Sequence, residues 1–150
     1  MSVWQGLKRK LGVGARAERH AIRVFLLDDD RLRHEWFARR FKGDALDTAV
    51  EPARAVELLS SNHYDAIFLD HDLLPEHYES DEPDDERTGY AVAAWLAAHT
   101  EAQHGATVIV HTRNADGALR MVELMRRAGR PAEHVPFQYL SQKIKNYWQR

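Results

Sequence analysis

Three short apolar runs in this chain end in acidic or polar side chains, and this pattern constrains the fold more than any other feature. The runs are "IRVFLL" at 22–27, "DAIFLD" at 65–70 and "TVIVHT" at 107–112. Each run is continuous rather than alternating, which is typical of strands that are covered on both faces of a parallel sheet. Charged groups at the ends of such strands cost several kcal/mol to bury without partners. The sequence therefore predicts a buried sheet whose strand ends form a compensated polar site.

The stretches between the runs have apolar residues at helical spacing, which predicts helices that cover the sheet. Residues expected on the apolar faces of these helices are Leu32, Trp36, Phe37, Phe41, Val56, Leu59, Val92, Trp95, Leu96, Leu119, Val122 and Met125. Two weaker strands are predicted at "DTAVEP" (47–52) and "VPFQYL" (135–140). Alternating strands and helices predict an α/β fold with a doubly wound, five-stranded parallel sheet.

Length and composition favour one globular domain. The chain has 150 residues, of which 44% are hydrophobic and 29% are charged, so it can bury a core of ordinary size. The sequence contains no cysteine, which excludes disulfides and thiolate metal sites. No apolar stretch approaches the roughly 20 residues that span a bilayer, and the N-terminus lacks a signal-peptide core. We therefore expect a cytoplasmic protein without a transmembrane segment.

Charge is distributed unevenly at two places. Residues 1–21 form a basic N-terminal extension, which predicts either contact with nucleic acid or an anionic surface, or a solvated appendage. Residues 76–86, "EHYESDEPDDE", are acidic and lack apolar periodicity. We expect a solvated loop there that either covers the site, binds a cation or promotes solubility.

The acidic strand ends predict a metal site. Asp28 and Asp29 follow the first run, and Asp70 ends the second. Carboxyl ends of neighbouring parallel strands meet at one edge, where ligands bind in such folds. Two carboxylates about 4 Å apart repel by about 4 kcal/mol at an effective dielectric of 20, and a divalent cation reverses that effect. Oxygen ligands favour Mg²⁺ or Mn²⁺. Asp72 is expected to be a fourth ligand or a loop anchor, and Asp30 to cap the next helix.

Two histidines are expected near the same edge. His111 ends the run at 107–112, and His71 follows Asp70 directly. A histidine near phosphate acts as an acid, a base or a metal ligand, although a lone buried histidine is more often structural. Asn114 is expected either to contact phosphate or to cap the helix that follows it.

The segments "VFLLDDD", "VEPARAVELLSSNHYDAIFLD" and "TGYAVAAWL" resemble the receiver domain of two-component response regulators, over roughly residues 22–130. The resemblance implies a receiver (flavodoxin-like) domain at 22–150, with Asp28 and Asp29 as the acid pair that binds Mg²⁺. It also implies that Asp70 is the phosphoryl acceptor and that Thr112 is the switch hydroxyl.

Departures from that pattern resemble a divergent group, the cyclic-phosphate processing receiver domains. "DHDLLPEHYESDEPDDERTG" enlarges the loop before Gly89, and "HTRN" places His111 and Asn114 where the usual motif has small residues. "FQYLSQK" lacks the lysine that receivers have after strand five. Lys143 lies too late in the sequence to be assigned to that role. This second resemblance implies a metal-dependent phosphoesterase that binds or processes a phosphate ester of a nucleotide or RNA end.

In that interpretation the catalytic residues are His111, Asp70 and Thr112, and the phosphate-binding residues are Thr112, Asn114 and His71. The metal ligands are Asp28, Asp29, Asp70 and Asp72. Two alternatives remain open at this point. One is a stand-alone response regulator phosphorylated on Asp70, and the other is a degenerate receiver that serves as a protein-interaction module.

Overall fold

The protein is built around a five-stranded parallel sheet with the strand order β2-β1-β3-β4-β5. It is described by a computed structural model over residues 19–73 and 86–148. The strands are β1 (Arg23–Leu27), β2 (Ala45–Ala49), β3 (Ala66–Leu69), β4 (Thr107–Val110) and β5 (Glu133–His134). The helices are α1 (Arg31–Arg40), α2 (Pro52–Ser61), α3 (Gly89–Ala98), α4 (Ala115–Arg127) and α5 (Leu140–Tyr147). The predicted doubly wound α/β fold is confirmed.

Helices cover both faces of the sheet, as continuous apolar strands require. One face packs against α2, α3 and α4 through residues such as Leu59, Leu96 and Met121. The other face packs against α1 and α5 through Phe37, Phe41 and Ile144, among others. Every residue of β3 is buried. The central strands are therefore anchored from both sides, which fixes the position of their polar ends.

The prediction of a fifth strand at 135–140 is wrong in its position. The strand is only Glu133–His134, and the chain then forms a 3₁₀ turn at Phe137–Tyr139 before α5 begins at Leu140. Pro136 explains the early end, because proline has no N–H to donate to a sheet. Val135 still donates from its backbone N–H to the carbonyl of Val110, and beyond the proline Phe137 N–H donates to the carbonyl of His111 at 3.1 Å, so the regular strand ends while single contacts continue.

Three smaller predictions also differ from the structure. The strand predicted at 47–52 is Ala45–Ala49, because Pro52 begins α2 and ends the extended segment. Leu32 and Leu119 are 70% and 57% exposed, although their spacing predicted burial. Leu32 lies five residues before the buried Phe37, which places it about 140° away around the helix.

Two predicted segments fall mostly outside the described residues. These are the basic extension at 1–21, of which only 19–21 are described, and the acidic loop at 76–86, of which only Glu86 is described. Their roles and the domain boundary between 21 and 22 stay predictions. Within the described ranges, no helix is long and apolar enough to cross a membrane.

Gly89 brings α3 into close contact with the end of β3. Its N–H donates to the carbonyl of His71 at 2.8 Å. A Cβ atom at this position would lie 1.7 Å from the backbone oxygen of Asp70. Only glycine allows this approach, which sets the position of the chain directly after Asp70.

Replacement of Gly89 by alanine is therefore expected to lower the free energy of unfolding by about 3 kcal/mol, because the clash is with backbone rather than with a side chain that can move. Urea denaturation followed by circular dichroism measures this change. Gly105→Ala is the control, since a Cβ there meets nothing within 4 Å and the cost comes only from a φ of +82°. That variant should lose about 1 kcal/mol. Equal losses in the two variants would contradict the proposed close approach.

Candidate functional site

The sheet register brings the ends of β1, β3 and β4 together. Leu27 pairs with Leu69, and Leu69 pairs with Val110. Asp28, Asp70 and His111 follow these aligned positions directly. The ladder also continues one residue further, because Asp70 N–H donates to the carbonyl of Leu27 at 2.9 Å and His111 N–H donates to that of Leu69 at 3.0 Å. The three side chains are therefore fixed by backbone hydrogen bonds at one edge of the sheet.

These three side chains form a buried group, hereafter the Asp28–Asp70–His111 group. One potential ligand atom from each residue lies within 4.8 Å of the other two. Asp28 and His111 are fully buried and Asp70 is 2% exposed. The predicted convergence of strand ends is thus present, and it includes His111 as well as the two carboxylates.

Asp28 is held as a carboxylate by its neighbours. Its Oδ2 lies 2.7 Å from His111 Nε2, and its Oδ1 accepts from the N–H of Asp30 at 2.8 Å. Burial raises the pKa of Asp28, but His111, the N–H of Asp30 and the charge of Arg33 together outweigh burial, so the pKa is lowered. Since the carboxylate can only accept, Nε2 of His111 carries the proton of this hydrogen bond.

Asp70 is the less satisfied carboxyl group of the pair. Its Oδ1 accepts from the N–H of His71 at 2.9 Å, whereas its buried Oδ2 has no hydrogen-bond partner in the described parts of the chain. Burial raises the pKa of Asp70 to about 6, and the negative charge of Asp28 adds to this effect against the opposing influence of His111 and Arg33. A buried acceptor atom without a hydrogen bond requires a physical explanation, and a bound ion or water is one such explanation.

Asp29 and Asp30 have different surroundings. Asp29 is partly buried, and its Oδ1 is another buried acceptor without a hydrogen bond from the residues described. Burial raises the pKa of Asp29, as does the charge of Asp28. Asp30 caps α1 by accepting from the N–H of Arg33 at 3.1 Å. The capping role predicted for Asp30 is confirmed.

A second set of predicted site residues packs beside the group instead of within it. His71 Nδ1 lies 2.8 Å from Asp72 Oδ1, and Asn114 Nδ2 lies 3.4 Å from Asp72 Oδ2. Asn114 also caps α4 through the N–H of Gly117 at 2.9 Å. A Cβ on Gly117 would lie 2.7 Å from the imidazole of His71. This network fixes the loop that follows Asp70.

Thr112 lies two residues beyond β4 at the same edge and is 2% exposed. Its hydroxyl oxygen accepts from the N–H of Asn114 at 3.1 Å, and the hydroxyl proton is directed to Asp70, where it opposes the rise in the pKa of that carboxyl group. His134 of β5 contacts the backbone oxygen of Thr112 at 2.9 Å. The 112–114 loop is therefore held from both β5 and α4.

Arg33 is a site residue that sequence reasoning missed. Its Nε lies 3.2 Å from Asp28 Oδ2, and its Nη2 lies 3.7 Å from Asp70 Oδ2. The side chain is 16% exposed. The available signal was its position three residues after the cap Asp30, because a residue in the first turn of a helix that follows an acidic strand end can reach back to that edge.

The donor set fits a hard divalent cation. Asp28 and Asp70 offer converging carboxylate oxygens, and the unbonded Oδ2 of Asp70 and Oδ1 of Asp29 are both buried. Mg²⁺ is commonly held in proteins by one or two carboxylates together with phosphate oxygens. Both oxygens of Asp72 are engaged, by His71 and Asn114, so it is a less available ligand than Asp29 and Asp70, which each have an unbonded oxygen.

Solved structures with the same fold are receiver domains. A CheY-like receiver domain protein from Methanospirillum hungatei JF-1 is 19% identical, with a TM-score of 0.61, and the match covers 86% of this chain and 94% of that one. The response regulator TrrA from Thermotoga maritima, in complex with Mg(2+)-BeF, is 22% identical, with a TM-score of 0.58 and coverage of 83% and 96%. At these identities the likeness concerns the fold alone.

A third similar structure is the receiver domain of a sensor histidine kinase from Pseudomonas aeruginosa PAO1, which has a magnesium ion coordinated in its active site cleft. It is 19% identical, with a TM-score of 0.61 and coverage of 87% of this chain and 98% of that one. No curated protein matches this chain. The family model of the cyclic-phosphate processing receiver domain matches residues 22–127, well over half of the sequence. The chain therefore belongs to the cyclic-phosphate processing receiver domain family.

Proposed function

We propose that this domain binds a divalent cation through Asp28, Asp29 and Asp70 and processes a phosphate ester at that site. The substrate class is a cyclic phosphate of a nucleotide or of an RNA end. The observation that carries the proposal is the buried Asp28–Asp70–His111 group at the carboxyl edge of the sheet, in a chain of this family. This group combines carboxylate ligands with an imidazole that can transfer a proton.

The three acids hold the ion, Mg²⁺ or Mn²⁺. Asp70 Oδ2 and Asp29 Oδ1 support this assignment, because both are buried acceptors that lack hydrogen bonds from the described residues. When bound, such an ion polarises a phosphate oxygen and neutralises the charge that develops on it. The backbone N–H of Asp30 donates to Oδ1 of Asp28, and the backbone N–H of His71 donates to Oδ1 of Asp70. These two hydrogen bonds orient the carboxylates.

Phosphate contacts come from the loop after β4. The hydroxyl of Thr112 can donate to a phosphate oxygen while it accepts from the N–H of Asn114. Asn114 uses Oδ1 to cap α4 and one Nδ2 proton for Asp72 at 3.4 Å, so the second proton of its amide nitrogen is the donor that remains for phosphate. His71 is also proposed as a phosphate contact. Its Nδ1 contacts Asp72 Oδ1, and its backbone N–H donates to Asp70 Oδ1.

His111 supplies the proton transfer in this proposal. Hydrolysis of a cyclic phosphate adds water to phosphorus and breaks one P–O ester bond, and the leaving oxygen takes up a proton. The Nε2–H of His111 points to Asp28 Oδ2. The imidazole reaches a substrate oxygen if that oxygen replaces Asp28 as the acceptor.

A second candidate function is phosphorelay with Asp70 as the acceptor. It is favoured by the position of Asp70 after β3, beside Asp28 and in the same buried edge as Thr112. It is disfavoured by Lys143, whose amine lies 3.0 Å from Glu133 Oε2 and is therefore engaged away from the site. A role as a protein-interaction module is a third interpretation, and the complete acid pair of Asp28 and Asp29 argues against it.

We expect the wild-type protein to bind one Mg²⁺ or Mn²⁺ ion with saturable heat in isothermal titration calorimetry at millimolar concentration or below. Asp70→Asn should weaken this affinity by about 10-fold or more, because it removes one of the charges that attract the ion.

Asp116→Asn is the matched control for that measurement. Asp116 is exposed in the first turn of α4, so the same change of charge there should leave the affinity within about twofold. Absence of saturable binding by the wild type would reject the metal site.

For activity, we expect His111→Ala to reduce turnover of a cyclic nucleotide phosphate by about 10²-fold or more, which is the usual effect of losing a general acid or base. Assays with 2′,3′-cyclic and 3′,5′-cyclic nucleotides, with Mg²⁺ and with Mn²⁺, measure this effect. His111→Gln separates two roles, since glutamine keeps an N–H donor for Asp28 but cannot transfer a proton. Turnover close to wild type in His111→Gln would limit His111 to positioning Asp28.

Phosphorylation distinguishes the second candidate from the first. Incubation with acetyl phosphate and Mg²⁺ is expected to leave the mass of the protein unchanged, since "FQYLSQK" has no lysine at the position where receivers use one to stabilise the transferred phosphoryl group. A stable mass gain of one phosphoryl group that disappears in Asp70→Asn would favour phosphorelay instead.

A further inference from the structure

Arg33 connects the two carboxylates of the buried group. Its guanidinium contacts Asp28 Oδ2 at 3.2 Å and Asp70 Oδ2 at 3.7 Å. The Oδ2 of Asp28 is the same oxygen that His111 contacts, and the Oδ2 of Asp70 is the buried oxygen without a hydrogen bond. Arg33 therefore faces the atoms that a divalent cation would use.

The position of the side chain is fixed by its helix and by an aromatic neighbour. Asp30 caps α1 at the backbone N–H of Arg33, which holds the first turn of the helix against the end of β1. The guanidinium lies over the ring of Phe137 at 5.9 Å from the centroid. A guanidinium that is largely withdrawn from water interacts strongly with nearby charges.

We propose that Arg33 is the phosphate-binding cation of this site, held by Asp28 and Asp70 until a divalent ion takes over those carboxylates. This inference rests on the proposed metal and phosphate site. Two cations cannot share the same carboxylate oxygens without repulsion, so metal binding releases the guanidinium from them. A phosphate held at Asp70 then lies within reach of the released group, and arginine forms paired hydrogen bonds with phosphate oxygens.

Arg33 takes this role because the chain offers no equivalent cation from β5. The described residues after β5 place Phe137 beside the site, and Lys143 contacts Glu133. Arg33 of α1 is the cation that the structure places against both Asp28 and Asp70.

The test uses calorimetric titration of Arg33→Gln with two probes. Mg²⁺ alone should bind to Arg33→Gln about 10-fold more tightly than to wild type, because the competing guanidinium has been removed. Inorganic phosphate, titrated at saturating Mg²⁺, should bind about 10-fold more weakly. Arg33→Met provides a second variant that keeps an apolar stem against Phe137 while it removes the charge, and the same pair of opposite shifts is expected.

Arg31→Gln is the control, because Arg31 lies on the same helix with a side chain that is 88% exposed and contacts only Glu35 in the described residues. It removes the same charge, so shifts in Arg31→Gln that equal those in Arg33→Gln would overturn the proposal. Unchanged affinities in both Arg33 variants would overturn it as well, while the metal site would stand. Failure of wild type and both Arg33 variants to bind Mg²⁺ would reject the proposed function and the role of Arg33 together.

Discussion

Compensation of the buried charge on Asp28 is the interaction on which the site depends. An isolated buried carboxylate costs several kcal/mol, and Asp28 has no exposed surface. Three elements supply its partners: β4 supplies His111, α1 supplies Arg33, and the turn after β1 supplies the N–H of Asp30. The strand register and the start of α1 must both be correct for these groups to meet. The electrostatics of one residue therefore depend on most of the central fold.

Close backbone approach is the second requirement. Gly89 lets α3 touch the carbonyl of Asp70, and Gly117 lets α4 touch the ring of His71. Because α3 and α4 also pack against each other and the sheet, the segment from Asp70 to Asp72 is clamped between two helices. A rigid support of this kind allows Asp70 to keep an unbonded buried oxygen without loss of order in the loop.

The sequence predicted most of the fold because burial on both faces leaves a strong signal in β1, β3 and β4. It also predicted that Asp28, Asp70 and His111 would converge, since each directly follows a strand in a parallel sheet. It failed at β5, where "VPFQYL" is apolar enough for a strand but Pro136 ends the pairing. It also failed for Leu32, since hydrophobicity at helical spacing does not fix which face of a helix is inward. For Arg33 the one signal was its place in the first turn after the cap Asp30, and hydropathy gives no such signal because a basic residue early in a helix usually faces solvent.

Phe137 connects the short strand β5 with the environment of Arg33. With a two-residue strand, the chain turns at Pro136 and directs Phe137 towards the site, where its ring centroid lies 6.5 Å from that of His111 and 5.9 Å from the Arg33 guanidinium. An aromatic ring thus lies beside the buried carboxylates, on the side from which β5 approaches them. It removes water from Arg33 and His111, and lower local polarity strengthens their attraction to Asp28 and Asp70. The shortened strand and the cation from α1 are therefore two parts of one arrangement, in which β5 contributes shielding and α1 contributes the charge.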